Sequence, residues 1–560
     1  MNSNNAGLEV LIVGAGPVGL ATSIELGRRG IRCRVIERND RVGYSPRAKT
    51  TNVRTREHLR RWGIADTLRA ASPIDSDRPS TVVFATRMNG PLLARFDNAL
   101  SGSRSKHNSY SEEAQWVPQY VLEGVLQRYA ETLPGVEIHF ATEFVSMTQT
   151  ADAVTSTIRD LKTGETTTVE SAYLIGADGP RSPVRDAIGA KMLGKAGTSK
   201  NYSIVFRAPD LASRQIHERG IMYWMVNDDV PAMLGVMDEA GLWSFMATKL
   251  PGNVDPATLD PVDLIRRSTG LADLAVEIVG KDLWIANELV ADHYAKGRVF
   301  LAGDACHLHP PFGGFGMNMG IGDGVDLAWK LAALLRGWGG ETLLRAYEVE
   351  RRQAHERTIA EAVINFATTG NQLVRPALED VGVIGEATRR EVGEIIQATK
   401  IREFRTLGIV LGMRYQNSPI VVPDGSEPPP EHFMLYLPSA HPGCLAPHLW
   451  LADGSSLYDH FGEGFTLLVA EGDVSAVNAL VVAAARHGMP LKVLSLPDPR
   501  LLARYEARFT LIRPDQHVGW RGNACPADCA AVIAQLTGTT ALPVSPADVA
   551  RHSKSHAGGT

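Results

Sequence analysis

The densest chemistry in the chain lies near its amino end, where Gly14-Ala15-Gly16-Pro17-Val18-Gly19 follows an apolar run and precedes a helical pattern. In that context a GxGxxG string suits a dinucleotide. The first glycine allows a tight turn, the second lets a pyrophosphate approach the backbone, and the third lets the helix pack closely. The positive end of a helix that opens at Pro17 then faces the phosphates. Glu37, at the end of the next apolar run, is placed to accept the ribose hydroxyls, and Arg38 beside it is counted in the same site. Alone, the pattern does not separate FAD from NAD, nor a cofactor site from a structural turn.

Two further segments narrow the choice. YLIGADGPRSPVR (173–185) and GRVFLAGDACHLHPPFGGFGMNMGIGDGVDLAWKL (297–331) each set an Asp beside a Gly after an apolar strand, Asp178-Gly179 in one and Gly303-Asp304 in the other. Either could be an ordinary strand-end turn. Together with the glycine fingerprint and Pro46-Arg47-Ala48, they resemble the class A flavoprotein aromatic hydroxylases, the family of para-hydroxybenzoate hydroxylase. The resemblance is nearest to the longer branch, with phenol, 2,4-dichlorophenol and 2-hydroxybiphenyl monooxygenases and polyketide hydroxylases. It extends over nearly the whole chain, and GDACHLHPPFGGFGMN is its most specific part.

The resemblance implies bound FAD, a transient visit by NADH or NADPH, and dioxygen. A flavin C4a-hydroperoxide would pass one oxygen to an electron-rich, phenol-like ring. No second convincing GxGxxG marks a permanently bound nicotinamide. By the same resemblance Arg47, and Gln119 in WVPQYVLEGVL, contact the ribityl and phosphate groups. Asp178 and Gly179 serve FAD and the nicotinamide, and Asp304 holds a ribityl hydroxyl. Pro310 and Pro311 lie beside the reactive flavin face, with Gly316, Met317 and Asn318 along the isoalloxazine edge. A helix start at that edge has its own physical reason, because its amides stabilise negative charge on a reduced flavin.

Lys49, in RAKTTNVRT, departs from the family pattern. The dichlorophenol and hydroxybiphenyl enzymes carry a histidine there, linked to activating the phenol. A cation that favours the ionised ring could replace such a base. The plainer alternative is a lysine that touches FAD phosphate or solvent. Tyr223, Trp224, Trp243 and Phe245 are candidates to line a substrate pocket, although aromatic residues in strands more often pack a core. His307 and His309 lack a third ligand at recognisable spacing, so no metal is expected.

The elements that must position these residues follow from periodicity. LEVLIVGAGPVGLATSIELGRRGIRCRVIER is a strand, turn, helix and strand, the opening of a Rossmann-like α/β domain. SIVFRA, IMYWMV, AMLGVM and LWSFMA alternate between turn-rich segments and predict an antiparallel sheet inserted as a substrate domain. The expected division is 1–75, 115–190 and 285–400 for the FAD-binding domain with a helical extension, and 76–114 and 191–284 for the substrate domain. A linker at 401–430 includes the start of the Pro-rich stretch PDGSEPPPEHF; 431–550 forms a small α/β domain, and 551–560 a flexible tail. That last domain resembles the thioredoxin-like extension of the longer branch, through SLYDHFGEGFTLL and FTLIRPDQHVGWRG. Cys525 and Cys529 have CxxxC spacing rather than the CxxC of a working thioredoxin, and read as idle thiols.

Composition sets the outer limits. With 560 residues, 44% hydrophobic, 21% charged and a net charge of −5, the chain is a multidomain globular protein without a basic field for nucleic acid. Five scattered cysteines argue against a disulfide framework and for a reducing cytoplasm. No apolar run approaches the roughly 20 residues of a membrane span. A small aromatic molecule is the expected partner, with a homodimer left open. Competing readings are a flavin monooxygenase of polycyclic polyketides or antibiotics, including Baeyer-Villiger insertion, and a flavin-binding protein without turnover. A halogenase fits less well because the WxWxIP string is absent.

Overall fold

β1 (Leu8–Val13) is an unbroken apolar run because it lies inside a parallel sheet, where both faces are covered. β2 (Cys33–Ile36) and β10 (Thr166–Gly176) flank it in parallel, and the pairing continues outward to β7 (Val136–His139) and β17 (Val299–Leu301). β16 (Ala295–Lys296) pairs antiparallel with β17, while β8 (Thr142–Gln149) and β9 (Val154–Asp160) fold back antiparallel beyond β10. The Pro17–Arg28, Gln119–Ala130 and Gly316–Leu335 helices bury their apolar residues against this sheet. The computed structural model describes residues 7–40, 48–248, 258–367, 373–496 and 498–540.

A second, eight-stranded sheet runs in the order β18 (His307–Leu308), β15 (Glu277–Ala291), β11 (Met192–Arg207), β14 (Leu242–Ala247), β13 (Ala232–Val236), β12 (Met222–Met225), β4 (Val82–Ala85), β5 (Leu92–Phe96). The four alternating strings singled out above fall in β11 to β14. The sheet is not wholly antiparallel as expected, since β12 and β4 pair in parallel where the earlier segment is spliced in beside the later one. Its two faces are closed by different helices, Pro261–Thr269 on one side and Val383–Phe404 on the other. A short ribbon of β3 (Thr50–Thr51) and β6 (Gln115–Trp116) lies between the two sheets' segments in the chain.

The third sheet, β20 (Leu491–Ser495), β19 (Phe465–Val469), β21 (Phe509–Ile512) and β22 (Val518–Gly522), mixes one parallel with two antiparallel pairs. Its core takes in Trp329 and Ala333 of the Gly316–Leu335 helix, so one helix spans two cores. Buried ions fasten the joint. Arg513 donates to Glu350 (2.5 Å) and Asp515 (2.6 Å), and Lys330 to Asp326 (2.7 Å) and Glu350 (2.6 Å). Burial pushes the Asp326 carboxyl up; it would do the same to Glu350, but Arg513 and Lys330 hold that group down. The stretch expected as a linker from residue 401 instead begins inside the Val383–Phe404 helix and continues into a turn at Leu407–Val410 with Ile409 buried. Helical periodicity there had no Gly or Pro to mark its end.

Candidate functional site

The parallel sheet explains why four separate motifs belong together. Gly14, Glu37, Asp178 and Asp304 follow the carboxyl ends of β1, β2, β10 and β17, four neighbouring strands, and open α/β sheets bind ligands at that edge. Gly14 has φ +107°, and a Cβ there would stand 2.3 Å from the Ala177 carbonyl oxygen. A Cβ at Gly19 would meet the Gly14 carbonyl oxygen at 1.9 Å, whereas Gly16 and Gly179 face open space. The turn is closed where the chain packs and open where a phosphate would approach. Pro17 occupies the first helical position, leaving the helix start unhindered.

Glu37 is fixed by its surroundings: its carboxylate accepts from Ala15 N (3.0 Å), Asn39 N (2.9 Å) and Asn39 Nδ2 (2.6 Å). Arg38 beside it is exposed. Asp178 accepts from Val184 N (3.1 Å) through one oxygen, while the other is buried without a donor among the described residues. Burial pushes its carboxyl up to about 6, against the Ser182 hydroxyl and the Val184 amide that favour the anion. A half-buried carboxylate with one oxygen left without a donor is a natural acceptor for a ligand hydroxyl. Arg185 ties this turn to the next motif by donating to Pro180 O (3.1 Å) and Ala305 O (3.3 Å). Asp304 lies half-buried in the single turn Gly303–Ala305. These donors, acceptors and cradle suit FAD.

Two expected cofactor residues already hold protein backbone. Gln119 accepts from Ala48 N (3.1 Å) and donates to Glu123 (2.7 Å). Asn318 donates to Thr50 O (2.8 Å) and Gly314 O (2.7 Å) and accepts from Asn52 N (2.9 Å). Both therefore clamp the segment from Ala48 to Asn52. Arg47 lies outside the described residues. Gly316 and Met317 open the Gly316–Leu335 helix, Pro310 is buried and Pro311 exposed.

Strand alternation separates the four aromatic candidates. Tyr223, Trp243 and Phe245 lie in the core that faces the Pro261–Thr269 helix. Trp224 points to the opposite face, with Met222, Met246, Phe84, Phe96, Phe312 and Phe404. Its indole stacks on Phe84 with centroids 5.5 Å apart and lies 6.3 Å from Phe312, two residues beyond Pro310. So three of the four turn away from the GD segment, because successive residues in a strand point to opposite sides. Lys49 joins Trp224's face: a Cβ on Gly235 would stand 3.6 Å from Lys49 Cδ and 3.0 Å from the Trp116 ring. Its ammonium has no hydrogen bond or ion pair among the described residues, and burial lowers it to about 8. Sequence reasoning missed Lys400, which is buried with its ammonium 3.1 Å from Glu403, 5.1 Å from the Trp224 ring centre and 5.7 Å from that of Phe312.

Behind the GD loop, Asp323 accepts from Gly303 N (3.0 Å) and Arg351 Nε (2.7 Å) and bonds His307 Nε2 (2.8 Å) and His355 Nε2 (2.7 Å). Burial would raise this carboxyl, but Arg351 and His307 hold it down. His355, on the Thr342–Ala367 helix, brings a third imidazole to within 4.8 Å of ligand atoms of His307 and His309, a neighbour that spacing in the sequence did not reveal. Only the helix fold joins residues so far apart.

A glycine cradle at the carboxyl edge of a parallel sheet, ringed by fixed carboxylates and backed by a second sheet, defines a dinucleotide-cofactor protein with a separate substrate wall. Comparison with known proteins takes this further. A family profile described as an FAD binding domain matches residues 7–362, and one described as aromatic-ring hydroxylase, C-terminal, matches residues 439–540. A putative polyketide hydroxylase of Streptomyces halstedii is 34% identical over 541 residues, covering 91% of this chain and 93% of that protein. The 2,4-dichlorophenol 6-monooxygenase of Cupriavidus pinatubonensis is 30% identical, over 93% of this chain and 94% of its own. The structure of the rebeccamycin biosynthetic enzyme RebC with reduced flavin matches with a TM-score of 0.88 and 35% identity, over 96% of this chain and all of that one. The chain belongs to the FAD-binding aromatic-ring hydroxylase family and is an FAD-dependent monooxygenase. No described helix is long and apolar enough to cross a membrane.

Proposed function

We propose that this enzyme hydroxylates a phenolic ring held between the GD loop and the Trp224 face of the eight-stranded sheet. When bound, FAD reduced by NADH or NADPH supplies the activated dioxygen that transfers one oxygen atom to the ring. In this reading the Gly14–Gly19 turn and the following helix start bind the pyrophosphate, and Glu37 binds the ribose. Asp178 and Asp304 take ribityl or nicotinamide-side hydroxyls, with Arg38 and Arg47 supporting the nucleotide. Gln119 and Asn318 position the Ala48–Asn52 segment, and Gly316 and Met317 present helix amides to the flavin edge. Pro310 and Pro311 shape the reactive side. The division into an FAD domain (1–75, 115–190, 285–400), a substrate domain (76–114, 191–284) and a thioredoxin-like domain (431–550) belongs to the same reading, as does a cytoplasmic enzyme.

Lys49 is the observation that carries the phenolic assignment. An ammonium without a described counter-ion, lowered to about 8, stands on the same sheet face as Trp224 and Phe312. Such a cation favours an ionised phenol, whose ring carbons are far better nucleophiles. A polycyclic polyketide with a phenolic ring is the second reading, supported by the Streptomyces halstedii relative. The test is oxidation of each nicotinamide by the purified yellow protein with panels of simple phenols and of polycyclic phenols, with product mass recorded. Products heavier by one oxygen from simple phenols support the first reading, and from polycyclic phenols alone the second. Nicotinamide oxidation with no oxygenated product from either panel sinks both.

A further inference from the structure

Outside the flavin and substrate walls, the two sulfurs of Cys525 and Cys529 lie 3.0 Å apart. Both residues are partly exposed, whereas Cys33, Cys306 and Cys444 are buried. Cys529 opens the Cys529–Leu536 helix, whose cap is Asp528, accepting from Ala531 N at 2.9 Å, and its sulfur also approaches Pro526 O at 3.4 Å. Both cysteines pack, partly buried, against the third sheet's core. A disulfide needs sulfurs about 2.05 Å apart, which leaves about 1 Å to close by side-chain rotation. Sequence spacing alone did not reveal this pairing, because Cys525 lies outside the helix that Cys529 opens.

We propose that Cys525 and Cys529 form a dithiol–disulfide couple that consumes hydrogen peroxide. Peroxide is the by-product of a monooxygenase that loses its activated oxygen before transfer, so the oxidant arises on the same enzyme. Cys525, as thiolate, attacks one peroxide oxygen; the O–O bond breaks, a sulfenic acid forms, and the other oxygen leaves as water after taking up a proton. The Cys529 thiol then attacks that sulfur, the S–O bond breaks as the S–S bond forms, and a second water leaves. Two thiols and one hydrogen peroxide give one disulfide and two waters, with two electrons passing from sulfur to oxygen. Burial and the neighbouring Cys525 sulfur raise the Cys529 thiol to about 12, which disfavours it as the thiolate that meets peroxide first and leaves that role to Cys525; Cys529 gives up its proton to the departing oxygen as it attacks. The bridge would pin the start of a helix whose far end, at Thr537 O, accepts from Gly340 N (2.8 Å) next to the Thr342–Ala367 helix.

The experiment uses the reduced full-length protein, freed of reductant, treated with hydrogen peroxide, denatured and labelled with a maleimide. Labelled thiols should fall from five to three, the peptide holding both residues should lose two hydrogens, and dithiothreitol should restore five. Cys525→Ser and Cys529→Ser should each abolish the bridge. Peptide mapping of the wild-type protein decides the matter even if a variant folds poorly. Five thiols remaining, a stable oxygen adduct on one cysteine without a bridge, or a bridge to another cysteine would each overturn the proposal.

Discussion

The two faces of the eight-stranded sheet are built from the same strands and are equally dry, yet they are closed in different ways. On one, Tyr223, Trp243 and Phe245 meet Leu264 and Ile265 of a single amphipathic helix, and the contacts are apolar. On the other, Trp224 and its aromatic neighbours meet the GD loop and the Val383–Phe404 helix. The buried Lys400 ammonium, paired to Glu403, lies 5.1 Å from the Trp224 ring centre, and the half-buried Lys49 side chain, unpaired among the described residues, is on the same face. A buried charge among rings is costly unless paired, and replacing it with apolar side chains is often neutral or stabilising. The first face is what packing alone produces. The second keeps groups that packing would discard, which is the mark of a surface held for a ligand.

Replacing one tryptophan on each face puts the largest strain on that contrast. Trp243→Ala should destabilise the fold by about 3–5 kcal/mol, the usual cost of emptying a large aromatic site in a core. The folded fraction should keep its ratio of hydroxylated product to nicotinamide consumed. Trp224→Ala, at an equally buried position, should cost a similar amount of stability but in addition raise the apparent KM for the aromatic substrate about tenfold, equivalent to ~1.4 kcal/mol, and waste nicotinamide. KM and product ratios of the folded fraction, with that fraction set by denaturant melts on the same samples, separate the two. If Trp243→Ala shifts KM as much as Trp224→Ala, the division between the faces fails.

Much of this was legible before folding was considered. The cradle could be found because each part is local: a strand, three glycines and a helix within a short span, and Asp-Gly pairs directly after apolar runs. What strings of residues could not supply was which motifs share an edge. That depends on the strand order β17-β10-β1-β2, in which the last strand in sequence lies outermost. Which of the four aromatic candidates face the GD loop was hidden for a related reason. In a sheet covered on both sides, Met222-Tyr223-Trp224-Met225 is apolar throughout, so alternation carries no label for either face. Lys400, His355 and the helical start of the expected linker were hidden because helices far along the chain bring them into place.

Lys49 sharpens the comparison at about the next size. If its ammonium favours the ionised ring by one pKa unit, Lys49→Met should lower the ratio of product to nicotinamide by up to about tenfold, ~1.4 kcal/mol, while FAD binding and flavin reduction persist. In the wild type the ratio should fall as pH rises through about 8, where the lysine loses its proton, and in Lys49→Met it should be low and flat. The stability consequence has the opposite sense. The folded pKa is depressed below the ordinary lysine value of about 10.4, so below pH 8 the fold bears the full cost of the charge, and that cost fades between 8 and 10.4. Lys49→Met should then be the more stable protein at neutral pH. A variant both less stable and fully coupled would return Lys49 to the class of ordinary packing residues.

The smallest effect tests the far face at a single atom. The Tyr223 hydroxyl accepts from Gly220 N at 2.8 Å and donates toward Glu218 O at 3.4 Å, and the residue is fully buried. Burial raises its phenol above the ordinary tyrosine value, so it stays protonated through the working range of the enzyme. Tyr223→Phe removes the oxygen and leaves a backbone N–H without its acceptor, while the ring and its packing against Trp243, 6.0 Å between centroids, are unchanged. The expected loss is about 1 kcal/mol of stability, the net worth of one such hydrogen bond. KM, the product ratio and the position of hydroxylation should all remain at wild-type values, because the hydroxyl faces the Glu218–Gly220 backbone. Were Tyr223 to line the substrate wall, its phenol would be a natural partner for the substrate's own hydroxyl, and Tyr223→Phe would move KM or product position with little change in stability. Melting curves and regiochemistry therefore give opposite patterns for the two placements of one oxygen atom.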